Sequence, residues 1–404
     1  MVTLTPCCLG HPNDTSARSG LARFRRALEQ LPPGAEGHIW VRLPIQLGDM
    51  MMALPSLFAV KAAWEGWAAR AGRTLRFTVT GKRSVSLFQE AVPQVFAACH
   101  VDDEFPCSGS PLKLLRHWGR ERPLALINYS KSDRIKLAAW LGRVPVRAGI
   151  SEGSNTWSYH FHHSFQGFAQ WGHMSFRYLP LTRWLAGPDT CLRMERLEPS
   201  RFGGGSVTAV LREQGWDGGP YVVFAPYPLP QFPERQWFPL DQPWLRLARL
   251  ARADGYTPVL AGGPERREAL DRLAAAAGCL SLGGRTTLPQ LMALAADAAG
   301  TISVDTGIAH VAAATGAPTV VIFGWGSENK DIPCGPRVVS LRGDPAGAPV
   351  HPVPPGSMDQ ASCPWSAASA SIPAERAWGV LAHLAREAVP DPSRTLNPAP
   401  AGAR

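Results

Sequence analysis

The stretch that most constrains this fold runs from Gly300 to Gly324 and reads GTISVDTGIAHVAAATGAPTVVIFG. Thr301 to Val304 is rich in β-branched residues and predicts a short strand. Asp305-Thr306-Gly307 ends that strand and opens a helix carrying Ile308, Val311 and Ala312. Gly316 is placed to cap the helix at its C-terminus, Pro318 keeps it from restarting, and Thr319 to Phe323 reads as a buried parallel strand. The first turn of a helix has N–H groups without intrahelical partners and a partial positive charge, so an anion such as a phosphate fits there, and Gly307 lets the backbone approach it. The turn alone is equally compatible with an ordinary β-α-β crossover in which Asp305 or Thr306 caps the helix.

At 404 residues the chain exceeds what one hydrophobic core usually supports, so two domains are expected. A net charge of +9 suits an acidic partner: a phosphorylated substrate, an anionic membrane surface or nucleic acid. No block of consecutive basic residues singles out nucleic acid, and none is expected as a partner. The sequence has no apolar run long enough to span a bilayer, and its first 30 residues lack the apolar core of a secretion signal, so a cytoplasmic location is expected. The eight cysteines form no C-x-x-C pair and read as reduced thiols.

Residues 1–37 form an extension with one basic amphipathic helix, in which Leu21, Phe24, Leu28 and Leu31 share a face flanked by Arg23, Arg25 and Arg26. Such a helix packs on the protein's own surface or lies on anionic lipid. Residues 38–200 read as a first doubly wound domain. It opens with a strand from Ile39 to Leu43, a loop containing Gly48-Asp49, and an apolar helix through Leu57 and Trp64. Ligands of such sheets bind beyond the carboxyl ends of the strands, where Asp49 falls, although an acid in a glycine turn also serves as a helix cap. Further strands are predicted at Leu75 to Thr80 and Leu124 to Asn128, with a helix between them and another from about Arg134 to Leu141. Lys82, Arg83, Lys131 and Arg134 follow strand ends, where they either face an anionic substrate or are simply solvated. Residues 151–176 look irregular and hold Trp157, Tyr159, His160, His162, His163, Trp171 and His173. They are read as a mobile wall of the substrate cleft rather than a metal site, since no Cys, Asp or Glu stands beside the histidines at a metal-motif spacing.

Gly203-Gly204-Gly205 is read as a hinge, followed by a second α/β domain over residues 206–335. Its predicted strands are Tyr221 to Ala225, Thr257 to Ala261, Cys279 to Leu282, Thr301 to Val304 and Thr319 to Phe323. Its predicted helices are Trp244 to Ala253, Arg266 to Ala276 and Leu288 to Ala296. Residues 336–404 read as a Pro/Gly-rich loop to about Ile372, a helix from Ala374 to Ala388 and a tail.

Three stretches in order resemble one family, the ADP-heptose:lipopolysaccharide heptosyltransferases of glycosyltransferase family 9. Leu47-Gly48-Asp49 is similar to the family's N-terminal motif; Leu282 to Leu288, LGGRTTL, resembles its L-x-G-x-T-S-L segment; and Ser303 to Gly324 resembles its D-T-G-x-x-H-x-A-A-A-x-G-x-P-T motif. The resemblance implies a GT-B fold, two Rossmann-like doubly wound domains facing across a cleft. It implies inverting transfer of heptose from ADP-heptose to a hydroxyl of the lipopolysaccharide inner core, with no metal and no cofactor. The acceptor would be an anionic glycolipid, met in peripheral contact with the cytoplasmic face of the inner membrane and held through Lys82, Arg83, Lys131 and Arg134.

Residue by residue, Asp49 matches the family's proposed catalytic base, and a carboxylate is ionised at neutral pH without special tuning. Arg235, within Pro233 to Trp237 (PERQW), stands where the family usually has a lysine and would grip the diphosphate. The backbone of Thr306 and Gly307 would bind the same group. Asp305, itself anionic, would pair with Arg235 or bond to sugar hydroxyls. Glu265 follows Gly262-Gly263 where the family places an acid on the ribose hydroxyls, and Leu288 and Met292 would form the slot for adenine. His310 matches the motif histidine. Core packing accounts equally for Leu288, Met292 and His310. The chain departs from the family at Pro226-Tyr227-Pro228, which removes hydroxyl donors near the phosphates, at Phe238 between Trp237 and Pro239, and at Trp325-Gly326. Three other readings stay open: a related transferase with another nucleotide sugar or another glycan or protein acceptor, a GT-B protein that binds without catalysis, and a metal-using enzyme.

Overall fold

Runs of β-branched residues alternating with apolar helices build two parallel sheets, and the strand order of each decides where ligands bind. A computed structural model describes residues 17–90, 95–107, 109–151, 155–163, 173–192, 194–199, 207–232, 235–324, 328–343 and 369–386. The predicted hinge at Gly203 to Gly205, Trp171, Pro233, Trp325-Gly326, the start of the N-terminal extension, most of the Pro/Gly-rich loop and the tail beyond Arg386 lie outside them. The chain divides into two units between Glu195 and Arg196.

The first unit contains α1 (Ala17–Glu29), β1 (Glu36–Arg42), α2 (Leu47–Arg70), β2 (Thr74–Gly81), α3 (Leu87–Glu90), β3 (Ala98–Val101), α4 (Pro111–Glu121), β4 (Ala125–Asn128), α5 (Asp133–Leu141), β5 (Val146–Ile150), β6 (Phe161–His163) and α6 (Leu179–Ala186). Its sheet is parallel throughout, in the order β3-β2-β1-β4-β5-β6. That order reverses between β1 and β4, which opens a crevice at their carboxyl ends.

Three expectations are corrected here. Asp49 lies in the first turn of α2, which starts at Leu47, and not in a loop before the helix. The stretch read as irregular contains β6, which joins the sheet through Ala148↔Phe161 and Ile150↔His163. Its His-rich sequence hid a short edge strand. β3, β5 and α6 were also not anticipated, because ACHV and VRAGI carry no sustained β-branched pattern.

The N-terminal helix turns its apolar face inward. Phe24 is fully buried and stacks on Trp64 with ring centroids 4.0 Å apart, and Leu28 is buried beside it. The Trp184 indole donates to Ser19 Oγ at 3.0 Å, and the Arg25 guanidinium lies 3.2 Å from the Trp67 ring centroid. Of the two readings of this helix, packing on the protein's own surface is the one observed.

The second unit contains α7 (Val207–Glu213), β7 (Tyr221–Ala225), α8 (Gln242–Ala253), β8 (Thr257–Leu260), α9 (Arg267–Ala277), β9 (Leu280–Ser281), α10 (Leu288–Asp297), β10 (Thr301–Val304), α11 (Gly307–Ala314), β11 (Thr319–Phe323), α12 (Glu328–Asp331), β12 (Val338–Arg342) and α13 (Ala374–Arg386). The sheet order, β12-β11-β10-β7-β8-β9, repeats that of the first unit, with its switch point between β7 and β10. β10 and β11 are buried along their whole length, and Gly316 has the positive φ of a C-terminal cap, 78°. A further correction concerns Gly335 to Ile372: part of this predicted loop is β12, paired in register with β11 through Thr319↔Val338. The fold is α/β, built from two Rossmann-like doubly wound domains.

Candidate active site

At the switch point of the second unit two charged side chains meet. Arg235 Nη1 lies 2.9 Å from Asp305 Oδ2, joining the segment after β7 to the end of β10. The Asp305 side chain is only 5% exposed, whereas that of Arg235 is 25% exposed, so the cation reaches toward solvent from a buried anchor. The guanidinium also lies 4.8 Å over the Phe232 ring, which fixes its plane. Its buried Nε has no partner among the described residues and is a remaining donor.

Asp305 therefore pairs with Arg235, one of the two roles expected for it. Thr306 starts α11 without a side-chain cap hydrogen bond, and its Oγ1 instead faces Ser303 Oγ at 3.1 Å. Thr306, Gly307 and Ile308 are half-buried, and the α11 first turn has the N–H groups of any helix start. His310 is buried, 4% exposed, one turn further on.

Glu265 sits on the short turn Pro264–Arg266 after β8 and is exposed. Its carboxylate folds back over Gly263 so closely that a Cβ there would collide with it. Gly284, with φ +61°, brings its backbone to within contact of Pro264 on the same turn; a Cβ at Gly284 would lie 2.7 Å from Pro264 Cα. Arg266 Nε donates to Pro228 O at 2.8 Å, tying this turn to the segment after β7. Leu288 is half-buried against the core, and Met292 is fully buried at 0% exposure. The Tyr227 phenol donates to Asp241, which with burial holds its pKa above the usual range.

In the first unit, a cavity of about 380 Å³ opens at the carboxyl ends of β1, β2 and β4. Lys82, Lys131 and Arg134 line it, as expected of groups facing an anion, but Arg83 does not; it is exposed on the turn Arg83–Ser86. Arg42 and Asp102, which sequence reading missed, form a bidentate ion pair in the wall, with Arg42 Nη2 2.6 Å from Asp102 Oδ2 and Lys82 Nζ at 3.9 Å. Arg42 ends β1 and Asp102 directly follows β3, so recognising β3 would have exposed the pair. The Ser130–Ser132 turn is shaped by Asn128, whose Oδ1 accepts from Ser130 N and Oγ at 3.0 Å, while its Nδ2 donates to Tyr159 at 2.6 Å. Gly149 is needed beside it, since a Cβ there would lie 2.6 Å from Asn128 O.

Asp49 is half-buried and does not line this cavity, though Ile45, four residues before it, does. Its carboxylate stands in the first turn of α2, at the positive end of the helix dipole. It lies near enough to Tyr178 to add to the effect of burial in pushing that phenol's pKa up.

Behind the cavity's Trp40 and Phe105 lie three histidines. His100 stacks on Phe105 at 4.3 Å, and His117 meets Trp40 edge-on at 5.7 Å. His38 contacts Glu121 at 2.9 Å and Thr78 Oγ1 at 2.8 Å. Burial first, then Arg76, His117 and His100, lowers the His38 pKa to about 3 against the opposing pull of Glu121, so its contact with Glu121 is a hydrogen bond rather than an ion pair. Burial likewise lowers His100.

A ring kept neutral by the fold binds its proton more readily when unfolded. The stability it contributes is therefore complete above its ordinary pKa of 6.5 and is lost as pH falls from there toward about 3. The thermal midpoint of the protein is expected to fall between pH 7 and pH 5, with a shallower slope in His38→Gln; equal slopes in melting curves of the two proteins would refute this.

Two Rossmann-order sheets in one chain, each with charged groups at its switch point, are the architecture of GT-B glycosyltransferases. The chain belongs to glycosyltransferase family 9 (heptosyltransferase), whose family model matches residues 139–349, and it is a glycosyltransferase. Among solved structures it is similar to E. coli ADP-heptose lipopolysaccharide heptosyltransferase II, with a TM-score of 0.67 and 20% identity over 86% of this chain and 98% of that one. It is also similar to a family 9 glycosyl transferase from Veillonella parvula DSM 2008, with a TM-score of 0.65 and 16% identity over 86% and 97% of the two chains. With E. coli heptosyltransferase WaaC, solved with ADP, the TM-score is 0.56 and the identity 17% over 86% and 99%. At these identities the likeness is one of fold. No curated protein sequence matches the chain.

Proposed function

We propose that this protein is an inverting, metal-independent transferase that moves heptose from ADP-heptose to a hydroxyl of the lipopolysaccharide inner core, with Asp49 as general base. The observation that carries the donor half is the Arg235–Asp305 pair at the β7/β10 switch point, beside the open first turn of α11. Asp305 orients the guanidinium, whose remaining N–H groups grip the diphosphate together with the backbone of Thr306 and Gly307. Glu265 accepts from the ribose hydroxyls. Leu288 offers an apolar contact for adenine, and Met292 and His310 support the site from within the core.

In the reaction, Asp49 takes the proton of the acceptor hydroxyl as its oxygen attacks the anomeric carbon. The bond from that carbon to the diphosphate oxygen breaks on the opposite face, and ADP leaves with the bonding pair. Inversion follows from a single displacement, and Arg235 with the α11 N–H groups supports the charge that develops on ADP. Lys82, Lys131 and Arg134 hold anionic groups of the acceptor, with Arg83 outside the cavity for a more distant charge. The acceptor is a membrane glycolipid, so the enzyme works in peripheral contact with the cytoplasmic face of the inner membrane.

A different nucleotide sugar is the second reading, favoured by one observation: the Tyr227 hydroxyl is committed to Asp241, so the segment after β7 offers no side-chain hydroxyl to the phosphates. Mass spectrometry of acceptor glycolipid incubated with a panel of nucleotide sugars, with and without chelator, separates the two. A heptose mass increment from ADP-heptose alone, undiminished by chelator, is expected; an increment from another donor alone would replace the heptose assignment.

A further inference from the structure

The described surface has eight exposed large hydrophobic side chains, and six of them, Ile45, Leu112, Leu137, Trp140, Leu141 and Trp157, belong to the first unit. Their distribution is not scattered. Leu137, Trp140 and Leu141 fall three and four residues apart on α5, on the same face as Arg134, which lines the cavity. Trp157 is 57% exposed and meets Trp140, 41% exposed, ring edge to face at 4.7 Å. At the cavity itself, Ile45 is part of the lining and Leu112 follows Pro111, which also lines it, with exposures of 60% and 70%. Exposed apolar side chains thus stand both at the cavity's rim and on the outer face of α5, which also carries Arg134 of the cavity lining.

The polar side chains around them are mainly basic. Lys113, Arg116 and Arg120 are exposed on α4, which packs on α5, and Lys131, Arg134 and Arg143 are exposed at the two ends of α5. A cluster of exposed apolar side chains flanked by cations, with paired tryptophans, is the pattern of a face that enters the headgroup region of an anionic bilayer. The N-terminal amphipathic helix does not supply that surface, because Phe24 and Leu28 are buried.

We propose that the face formed by Leu137, Trp140, Leu141 and Trp157, with its basic flank, docks on an anionic lipid surface. Docked this way, the cavity mouth would lie at headgroup level, where the sugar of a lipid-borne acceptor enters without leaving the membrane. The proposal deepens the reading of a membrane glycolipid acceptor and rests on it for its purpose, but lipid binding is measured without sugar transfer.

The test is co-sedimentation of the full chain with vesicles of phosphatidylethanolamine and phosphatidylglycerol, and with vesicles of phosphatidylcholine alone. Wild type is expected to bind the anionic vesicles, less so as salt rises, and the zwitterionic ones weakly. The Trp140→Gln/Trp157→Gln double variant and, independently, Leu141→Glu are each expected to weaken binding about tenfold, with far-UV circular dichroism unchanged. Leu240→Glu, at an exposed apolar position in the second unit, is expected to bind as wild type. Absence of binding to anionic vesicles, or equal binding by the double variant and Leu141→Glu, would overturn the proposal. So would a dimer in sedimentation velocity that these substitutions dissolve, since a second copy would then be the occupant. Loss of heptose transfer in a protein that still docks would count against the transferase reading alone.

Discussion

Asp49→Asn is expected to lower kcat for sugar transfer by about 10² to 10⁴-fold while leaving ADP affinity within about twofold. Asparagine keeps the shape and the hydrogen-bonding oxygen but cannot take a proton at neutral pH. The position is the third residue of α2, so the change also removes a negative charge from a helix N-terminus, which costs about 0.3–1 kcal/mol of stability and leaves the fold intact. Steady-state kinetics with saturating donor and acceptor would check it, with ADP binding measured on the same preparation. Because Asp49 belongs to the first unit and Arg235 to the second, the two effects are separable.

Arg235→Ala is expected to act on the donor side, weakening ADP binding by about 10²-fold, or ~3 kcal/mol, through loss of two charge-assisted hydrogen bonds. It also removes the cation beside Asp305, a side chain only 5% exposed. Breaking a fully buried ion pair costs about 3–5 kcal/mol; here the cost is smaller, because Arg235 is 25% exposed and solvent screens it. Arg235→Lys is the more discriminating change. It restores the charge but not the fork that contacts Asp305 and diphosphate together, so affinity between those of wild type and Arg235→Ala is expected. Calorimetric titration with ADP reads both variants.

The second unit was the more legible from sequence. Its strands at Thr257, Thr301 and Thr319 are short, apolar and punctuated by glycine and proline, and the predicted boundaries fall within a residue or two of those observed. β12 was hidden because it is an edge strand in a stretch dominated by proline and glycine. In the first unit, β3 and β6 were invisible to a pattern search, being three or four residues long with cysteine and histidine where β-branched residues are sought. That omission concealed Asp102 and hence the Arg42–Asp102 pair in the cavity wall. The Arg235–Asp305 contact, by contrast, was one of two roles expected for Asp305, whose own charge repels a phosphate, while Arg235 was singled out by its match to the family's usual lysine. For Met292 the resemblance suggested an adenine contact and core packing was equally open; the side chain is completely buried.

The measurement closest to the central claim is titration of the full chain with ADP. Saturable binding with a dissociation constant in the micromolar range, weakened about 10²-fold in Arg235→Ala and retained in Asp49→Asn, is the expected result. No binding at ADP concentrations up to about 1 mM, or binding that Arg235→Ala leaves untouched, would contradict a nucleotide-diphosphate site at the β7/β10 switch point.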